Sequence, residues 1–210
     1  MLFQMRFGQL VVTSVLLLVL LFVLLPAAVV SCTSTARVSD VYMALDGAGD
    51  RKRNVFFTDT KEIHCVVELG IGRRGATVET LVRALQGYDF ASDKFFATDR
   101  VLANVEASPT PSDGIQTVDV TLKPRGPDGV ETDGLPFPPG RFVCEAYLDG
   151  KLEQTAVFNI DFPDCPASQI APGTLCFGFY KQNLECPRYG VTAKDPAKCR
   201  CTTLKGWECD

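Results

Sequence analysis

Glu62-Ile63-His64-Cys65-Val66-Val67-Glu68-Leu69 and Gly140-Arg141-Phe142-Val143-Cys144-Glu145-Ala146-Tyr147-Leu148 are the two stretches whose reading decides the fold. In an extended strand, successive side chains point to opposite faces. Ile63, Cys65 and Val67 therefore share one face of the first stretch, and His64, Val66 and Glu68 share the other. In the second stretch Phe142, Cys144, Ala146 and Leu148 fall together. Each stretch carries one cysteine on its more apolar side, as a bridge between facing sheets requires. Asp149-Gly150 follows the second stretch and precedes another apolar run, a strong signal for a tight hairpin.

Similar short runs, separated by turn chemistry, extend in both directions from these two. They predict strands over 39–45, 54–57, 62–69, 77–85, 101–106, 116–123, 141–148 and 154–162. The breaks between them are rich in Gly, Pro, Asp and Ser, notably 46–47, 70–75, 108–114 and 124–140. No segment carries a helical period, so the pattern predicts a mainly β chain arranged as a β-sandwich.

Gly140-Arg141-Phe142-Val143-Cys144 resembles the G-x-Y-x-C segment of immunoglobulin-like domains, with Phe142 where Tyr is usual. The stretch 139–160 is also similar to the last hairpin of bacterial immunoglobulin-like modules. The resemblance implies an immunoglobulin-like β-sandwich over 37–163, with Cys65 as the partner of Cys144. Two departures stand out. No Trp lies on the expected third strand of the motif, where Leu81 or Val82 has to fill the core. Phe142 also lacks the hydroxyl that makes the tyrosine corner.

The chain has nine cysteines, and six of them crowd into 164–210: Cys165, Cys176, Cys186, Cys199, Cys201 and Cys209. A segment this short builds little apolar core, and such segments usually need covalent staples. The economical reading sets Cys32 aside, pairs the isolated Cys65 and Cys144, and closes the other six among themselves with their connectivity open. Zinc is disfavoured, because the one close pair, Cys199-Arg200-Cys201, lacks the usual spacing and the single histidine is distant. No metal and no cofactor are expected. The tail resembles a small cysteine-rich module that recurs in exported proteins of myxobacteria and their relatives. The matching residues are Cys165-Pro166, Gly173-Thr174-x-Cys176, Cys186-x-x-Tyr189-Gly190, Cys199-x-Cys201 and Trp207-x-Cys209. That resemblance implies no catalytic activity. Trp207 is the only tryptophan, and packing over the disulfides is its expected role.

At the other end, Arg6 precedes an uncharged run from Leu10 to Val30, dominated by Leu and Val and interrupted by Pro26. A short positive region followed by an apolar one reads as a secretory signal over 1–31. Val29-Val30-Ser31-Cys32 resembles the bacterial lipobox. The resemblance implies that Cys32 is acylated and becomes the mature N-terminus, with 32–36 as a short linker. An uncleaved anchor helix and a cleaved soluble product are the alternatives. All three place the rest of the chain outside the cytoplasm. Thr33, rather than Asp, after Cys32 favours the outer membrane over the inner one.

Lys and Arg number 21 against 25 Asp and Glu, a net charge of −4. This balance disfavours nucleic acid, whose binding rests on a basic surface. His64 is expected on the surface. Asp46-Gly47-Ala48-Gly49-Asp50 fails as a calcium loop, because Ala48 and Phe57 stand where ligands are required. Arg51-Lys52-Arg53 and Arg73-Arg74 read as solvated loops. No phosphate loop, zinc-protease motif or nucleophile elbow is present, so no catalytic residue is assigned. The expectation is a non-enzymatic, lipid-anchored cell-envelope protein, palmitate-modified at Cys32, that binds a protein or glycan partner. The alternatives are an inhibitor or ligand-binding protein acting through the C-terminal module, and a periplasmic or surface enzyme with an unrecognised carboxylate site.

Overall fold

The computed structural model describes residues 36–70, 76–110, 114–125, 129–132, 134–166, 170–188 and 198–210. The signal segment, Cys32, Thr33, Arg73-Arg74 and Tyr189-Gly190 lie outside the described residues. Among the described residues all regular structure is β. One sheet holds β1 (Arg37–Ala44), β3 (Ile63–Gly70) and β6 (Ile115–Leu122), in the order β1-β3-β6. The other holds β2 (Val55–Phe57), β4 (Val78–Asp89), β5 (Lys94–Ala107), β7 (Gly140–Leu148) and β8 (Lys151–Asp161), in the order β2-β8-β7-β4-β5. Only β2 and β8 run parallel within the two sheets.

The core lies between the sheets because the alternation in each strand points inward. Ile63, Cys65, Val67 and Leu69 of β3 meet Phe142, Cys144 and Ala146 of β7 within one buried cluster. Cys65 and Cys144 are bonded across it, with a Cα–Cα distance of 6.4 Å. Val82, fully buried and in register with Cys144, occupies the third-strand position where immunoglobulin domains carry Trp. Phe142 stacks on Phe158 with ring centroids 5.3 Å apart. Gly140 is required by contact: a Cβ there would stand 2.2 Å from the Gln86 carbonyl oxygen. Asp149 and Gly150 both have positive φ, 49° and 80°, as the turn joining β7 to β8 demands.

The pattern understates β4 and β5. It ends one strand at Leu85 and starts the next at Val101, whereas the two form a continuous hairpin turning through 90–93. The intervening sequence, Gln86-Gly87-Tyr88-Asp89-Phe90-Ala91-Ser92-Asp93-Lys94, lacks period-two alternation. Bulges at Val82/Arg83 and Ala84/Gln86 further disturb the register. Strand here comes from pairing with a neighbour, not from burial of one face.

After Phe162 comes a second, smaller core. It consists of Ile170, Trp207 and four half-cystines, with Cys165, Tyr180, Leu184 and Cys209 at its margin. Three strands frame it, β9 (Glu185–Pro187), β10 (Lys198–Thr202) and β11 (Gly206–Cys209), in the order β11-β10-β9. Cys165 bonds Cys186, Cys176 bonds Cys201, and Cys199 bonds Cys209. Trp207 is 3 % exposed and packs against Tyr180, centroids 5.3 Å apart. Gly206, at φ 71°, lets the chain pass under Thr174, whose carbonyl oxygen a Cβ would meet at 2.1 Å.

The two cores belong to one compact unit, Thr35–Asp210. Thr58, fully buried after β2, ties them together. Its N–H donates to Asp161 C=O (3.0 Å), its C=O accepts from Phe137 N–H (2.9 Å), and its hydroxyl donates to Phe179 C=O of the cysteine-rich segment. The tip of the β4–β5 hairpin adds an aromatic seam. Phe90 lies 5.1 Å from Phe177 and 6.2 Å from Phe162, and Tyr88 lies 5.2 Å from Phe162. Lys181 pairs with Asp93 at 3.5 Å.

Candidate binding site

Among the described residues β5 is an edge strand of one sheet and β6 an edge strand of the other. Between these edges the sandwich opens on a cavity of about 210 Å³. Its floor is the core itself: Phe142, Phe158, Ile160 and Leu122, each at most 8 % exposed. Phe137 closes one side, delivered from the long Pro/Gly connection after β6 and held by its bond to Thr58. Leu102 of β5 forms the opposite wall. The rim is basic, with Arg100 on β5 and Lys123 and Arg125 just after β6. Arg125 is engaged by Glu131 at 3.2 Å. Among the described residues, Arg100 and Lys123 have no ion-pair partner. The same side chains that alternate into the core thus line the cavity, and the sequence turns basic where each edge strand reaches solvent.

The other polar clusters close on themselves. His64, expected at the surface, is 7 % exposed. Its Nδ1 lies 3.0 Å and 3.1 Å from the two Asp119 carboxylate oxygens, and Thr121 Oγ1 donates to Asp119 at 3.1 Å. The burial comes from the turn after β1, which folds over the outer face of β3. A Cβ on Gly47 would stand 2.8 Å from Asp119 Oδ2. His64 Nε2 makes no hydrogen bond, and Glu62 Oε1 stands 3.5 Å from it. This Asp–His pair therefore has no hydroxyl or thiol within hydrogen-bond reach of Nε2 among the described residues, which nucleophilic catalysis would need.

The calcium-like segment is an ordinary turn. The Asp46 carboxylate accepts from Asp50 N–H (2.9 Å) and Arg51 Nε (2.7 Å), and these bonds hold its pKa below the usual carboxylate value. Lys52 stands 3.4 Å from the centre of the Tyr42 ring. Burial, together with the hydrogen bond to Glu68, pushes the Tyr42 phenol up to about 12. On the outer face of the larger sheet, Glu145 is 4 % exposed. It receives two guanidinium bonds from Arg83 and one from Tyr147 OH at 3.0 Å. Arg83 also reaches Asp99 at 2.7 Å. These two carboxylates face one arginine and not an open cleft.

All eight cysteines assigned to bridges, Cys65, Cys144, Cys165, Cys176, Cys186, Cys199, Cys201 and Cys209, are bonded in pairs. Four closed disulfides point to an oxidising, extracytoplasmic compartment. The cavity itself was not legible beforehand. The basic residues at its rim come from segments far apart in sequence, and the only forward signal was the Lys123–Arg125 pair at the end of an apolar alternation.

No family model matches the chain, and no curated protein matches it significantly. Among solved structures the chain is similar to an immunoglobulin-like protein from Pseudomonas aeruginosa. The identity is 9%, over 62% of this chain and 99% of that one, with a TM-score of 0.38. It is also similar to an alkylpurine DNA glycosylase from Pseudomonas fluorescens (11% identity, 60% of this chain, 30% of that one, TM-score 0.34). A third is a β-glucosidase from Erythrobacter marinus (13% identity, 60% of this chain, 15% of that one, TM-score 0.36). The chain therefore spans less than a third of the length of either enzyme. At these TM-scores the alignments carry no argument about function. Strand order and the disulfide between β3 and β7 define the fold, an immunoglobulin-like β-sandwich followed by a small disulfide-rich module.

Proposed function

We propose that the chain is a non-enzymatic binding module of the cell envelope, acylated at Cys32 and carried on the outer membrane. Its ligand enters the basic-rimmed cleft between β5 and β6. The observation that carries the reading is this cleft: it reaches core residues that are otherwise inaccessible, and it presents Arg100 and Lys123, which have no ion-pair partner among the described residues. The lipobox supports the anchor, and the four disulfides agree with export. Two acyl chains suffice for stable attachment, whereas one is marginal. Palmitate labelling is expected in the native protein and lost in Cys32→Ala; labelling that persists would remove the anchor. For binding, envelope extract is passed over immobilised, oxidised Thr35–Asp210 and over the same unit carrying Val101→Trp, which narrows the cleft mouth. Retention by the first alone is expected, and equal retention by both would place binding elsewhere.

A second reading has an observation of its own. Leu204, at the tip of the β10–β11 hairpin, is 93 % exposed on a turn pinned by Cys199–Cys209. An apolar side chain held outward on a rigid loop is what an inhibitor or ligand-binding module would present to a protein partner. Leu204→Ser that abolishes partner capture while leaving the cleft active would favour it.

A further inference from the structure

We propose that the cleft between β5 and β6 takes a single-chain anionic amphiphile, an alkyl carboxylate in chemistry. Its tail lies among Leu102, Leu122, Phe142 and Phe158, and its head lies at Arg100 and Lys123. The inference rests on the reading of this cleft as the binding site and adds the class of ligand.

Three observations converge on it. The first is the lining. Leu102, Leu122, Phe137, Phe142, Phe158 and Ile160 line the cavity, and their side chains are hydrocarbon. Water there would find few of the two to four polar partners it needs, so the space favours hydrocarbon. The second is size. At about 210 Å³ the cavity exceeds the roughly 150 Å³ that holds benzene in an engineered apolar core. An alkyl chain of medium length is of that order of volume, whereas a folded peptide or an extended glycan is far larger. The third is charge. The chain is acidic overall, at −4, yet among the described residues the mouth gathers Arg100, Lys123 and Arg125, of which Arg125 pairs with Glu131. A cationic mouth on an acidic molecule draws an anion and repels a cation. A neutral chain would gain from the floor and nothing from the rim. A polyanion such as nucleic acid would meet the rim and leave the floor empty. Only a ligand with one apolar tail and one negative end uses both.

The test is calorimetric titration of oxidised Thr35–Asp210, which holds both cores and all four disulfides. The probes are sodium octanoate and, as the neutral control, 1-octanol, both below micellar concentrations. Saturable binding of octanoate, tighter than that of octanol, is the expected result. Arg100→Glu combined with Lys123→Glu is expected to weaken octanoate by about tenfold and leave octanol almost unchanged, because the lost attraction acts on the charged head alone. Val101→Trp, at an exposed position lining the mouth, is expected to weaken both. No saturable octanoate binding, equal affinity for octanol, or insensitivity to Val101→Trp in a folded protein would each overturn the proposal. If octanoate fails while envelope material is still retained by the native unit and lost with Val101→Trp, the amphiphile is wrong and the binding module stands. If both fail, the cleft is not a binding site.

Discussion

The sandwich and the cysteine-rich segment solve one problem in two ways. The sandwich has enough chain to bury a core of about twenty residues, from Val38 to Ile160, and uses a single disulfide across it. The C-terminal segment has six buried core residues, four of them half-cystines, and closes with three disulfides over separations of 21, 25 and 10 residues. Apolar burial stabilises in proportion to area, and a short chain has too little area to offset its conformational entropy. Cross-links lower the entropy of the unfolded chain instead. The lesson is that the same residue type, half-cystine, reinforces a core in one region and constitutes it in the other.

The most drastic way to break this contrast is full reduction. The C-terminal segment is expected to unfold completely while the sandwich keeps its sheet. Trp207 emission, from the only tryptophan, then shifts to that of a solvated indole, and far-UV circular dichroism retains its β signal. Loss of both signals at one reductant concentration would show that the regions unfold as a single cooperative block.

Removing only the sandwich bridge tests the other half. For a separation of 79 residues, the loop-entropy relation gives a loss of about 4–5 kcal/mol for Cys65→Ala with Cys144→Ala. A urea midpoint lowered with the slope retained is the expected observation. A typical domain has about 5–15 kcal/mol in hand, so a folded variant remains measurable.

In each region one described glycine stands against a backbone carbonyl, and these two sharpen the comparison at the level of single atoms. Gly140→Ala places a Cβ against the Gln86 carbonyl and Gly206→Ala places one against the Thr174 carbonyl. Each is expected to cost about 2–3 kcal/mol. The first should lower the urea midpoint of the sandwich, and the second should appear in Trp207 fluorescence alone. Thr58→Val comes next, at about 1–2 kcal/mol, since it leaves the Phe179 carbonyl without its side-chain donor. Faster amide exchange around 177–180 with the sandwich unchanged is the expected signature, and simultaneous loosening of both cores would show that Thr58 couples more than it joins.

The smallest effect is in alkali. Burial and a bond to Asp93 push the Tyr88 phenol up to about 12, as burial and Glu68 do for Tyr42. Both groups bind their proton more tightly in the folded chain than at the ordinary value of 10. Their contribution is therefore fully present below pH 10 and fades as pH rises through about 12. Ultraviolet titration at the phenolate band should show Tyr42, Tyr88, Tyr147 and Tyr180 all ionising later in the native protein than in urea, with Tyr42 and Tyr88 at about 12. Tyr88 sits at the aromatic seam between the regions, so its late ionisation should be lost in a chain with the seam opened by Phe90→Ala.

Much of the sandwich was legible because its physics is local. Alternation at Ile63, Cys65 and Val67, and again at Phe142, Cys144 and Ala146, follows from the two-residue strand period whatever the partner. Asp149-Gly150 marks a turn through backbone conformation alone. The distal halves of β4 and β5 were not legible, because their strand character depends on pairing and their faces are polar and aromatic without order. His64 was misread for a related reason. Strand period places it on the outer face correctly, but only the loop bearing Gly47, folded back from the preceding turn, covers that face.

By itself, the sequence determined the chemical class of each region: a β chain with one cysteine on each of two inward faces, then a short segment whose cysteines had to replace a core. Composition and period suffice for this, since both act within a few residues. Tertiary structure alone decided which of the six tail cysteines meet, where the two cores join through Thr58, and that β5 and β6 leave a basic-rimmed opening between them. Those outcomes depend on residues far apart along the chain, such as Arg100 and Lys123, or Thr58 and Phe179. No local rule of alternation or turn chemistry encodes their distance.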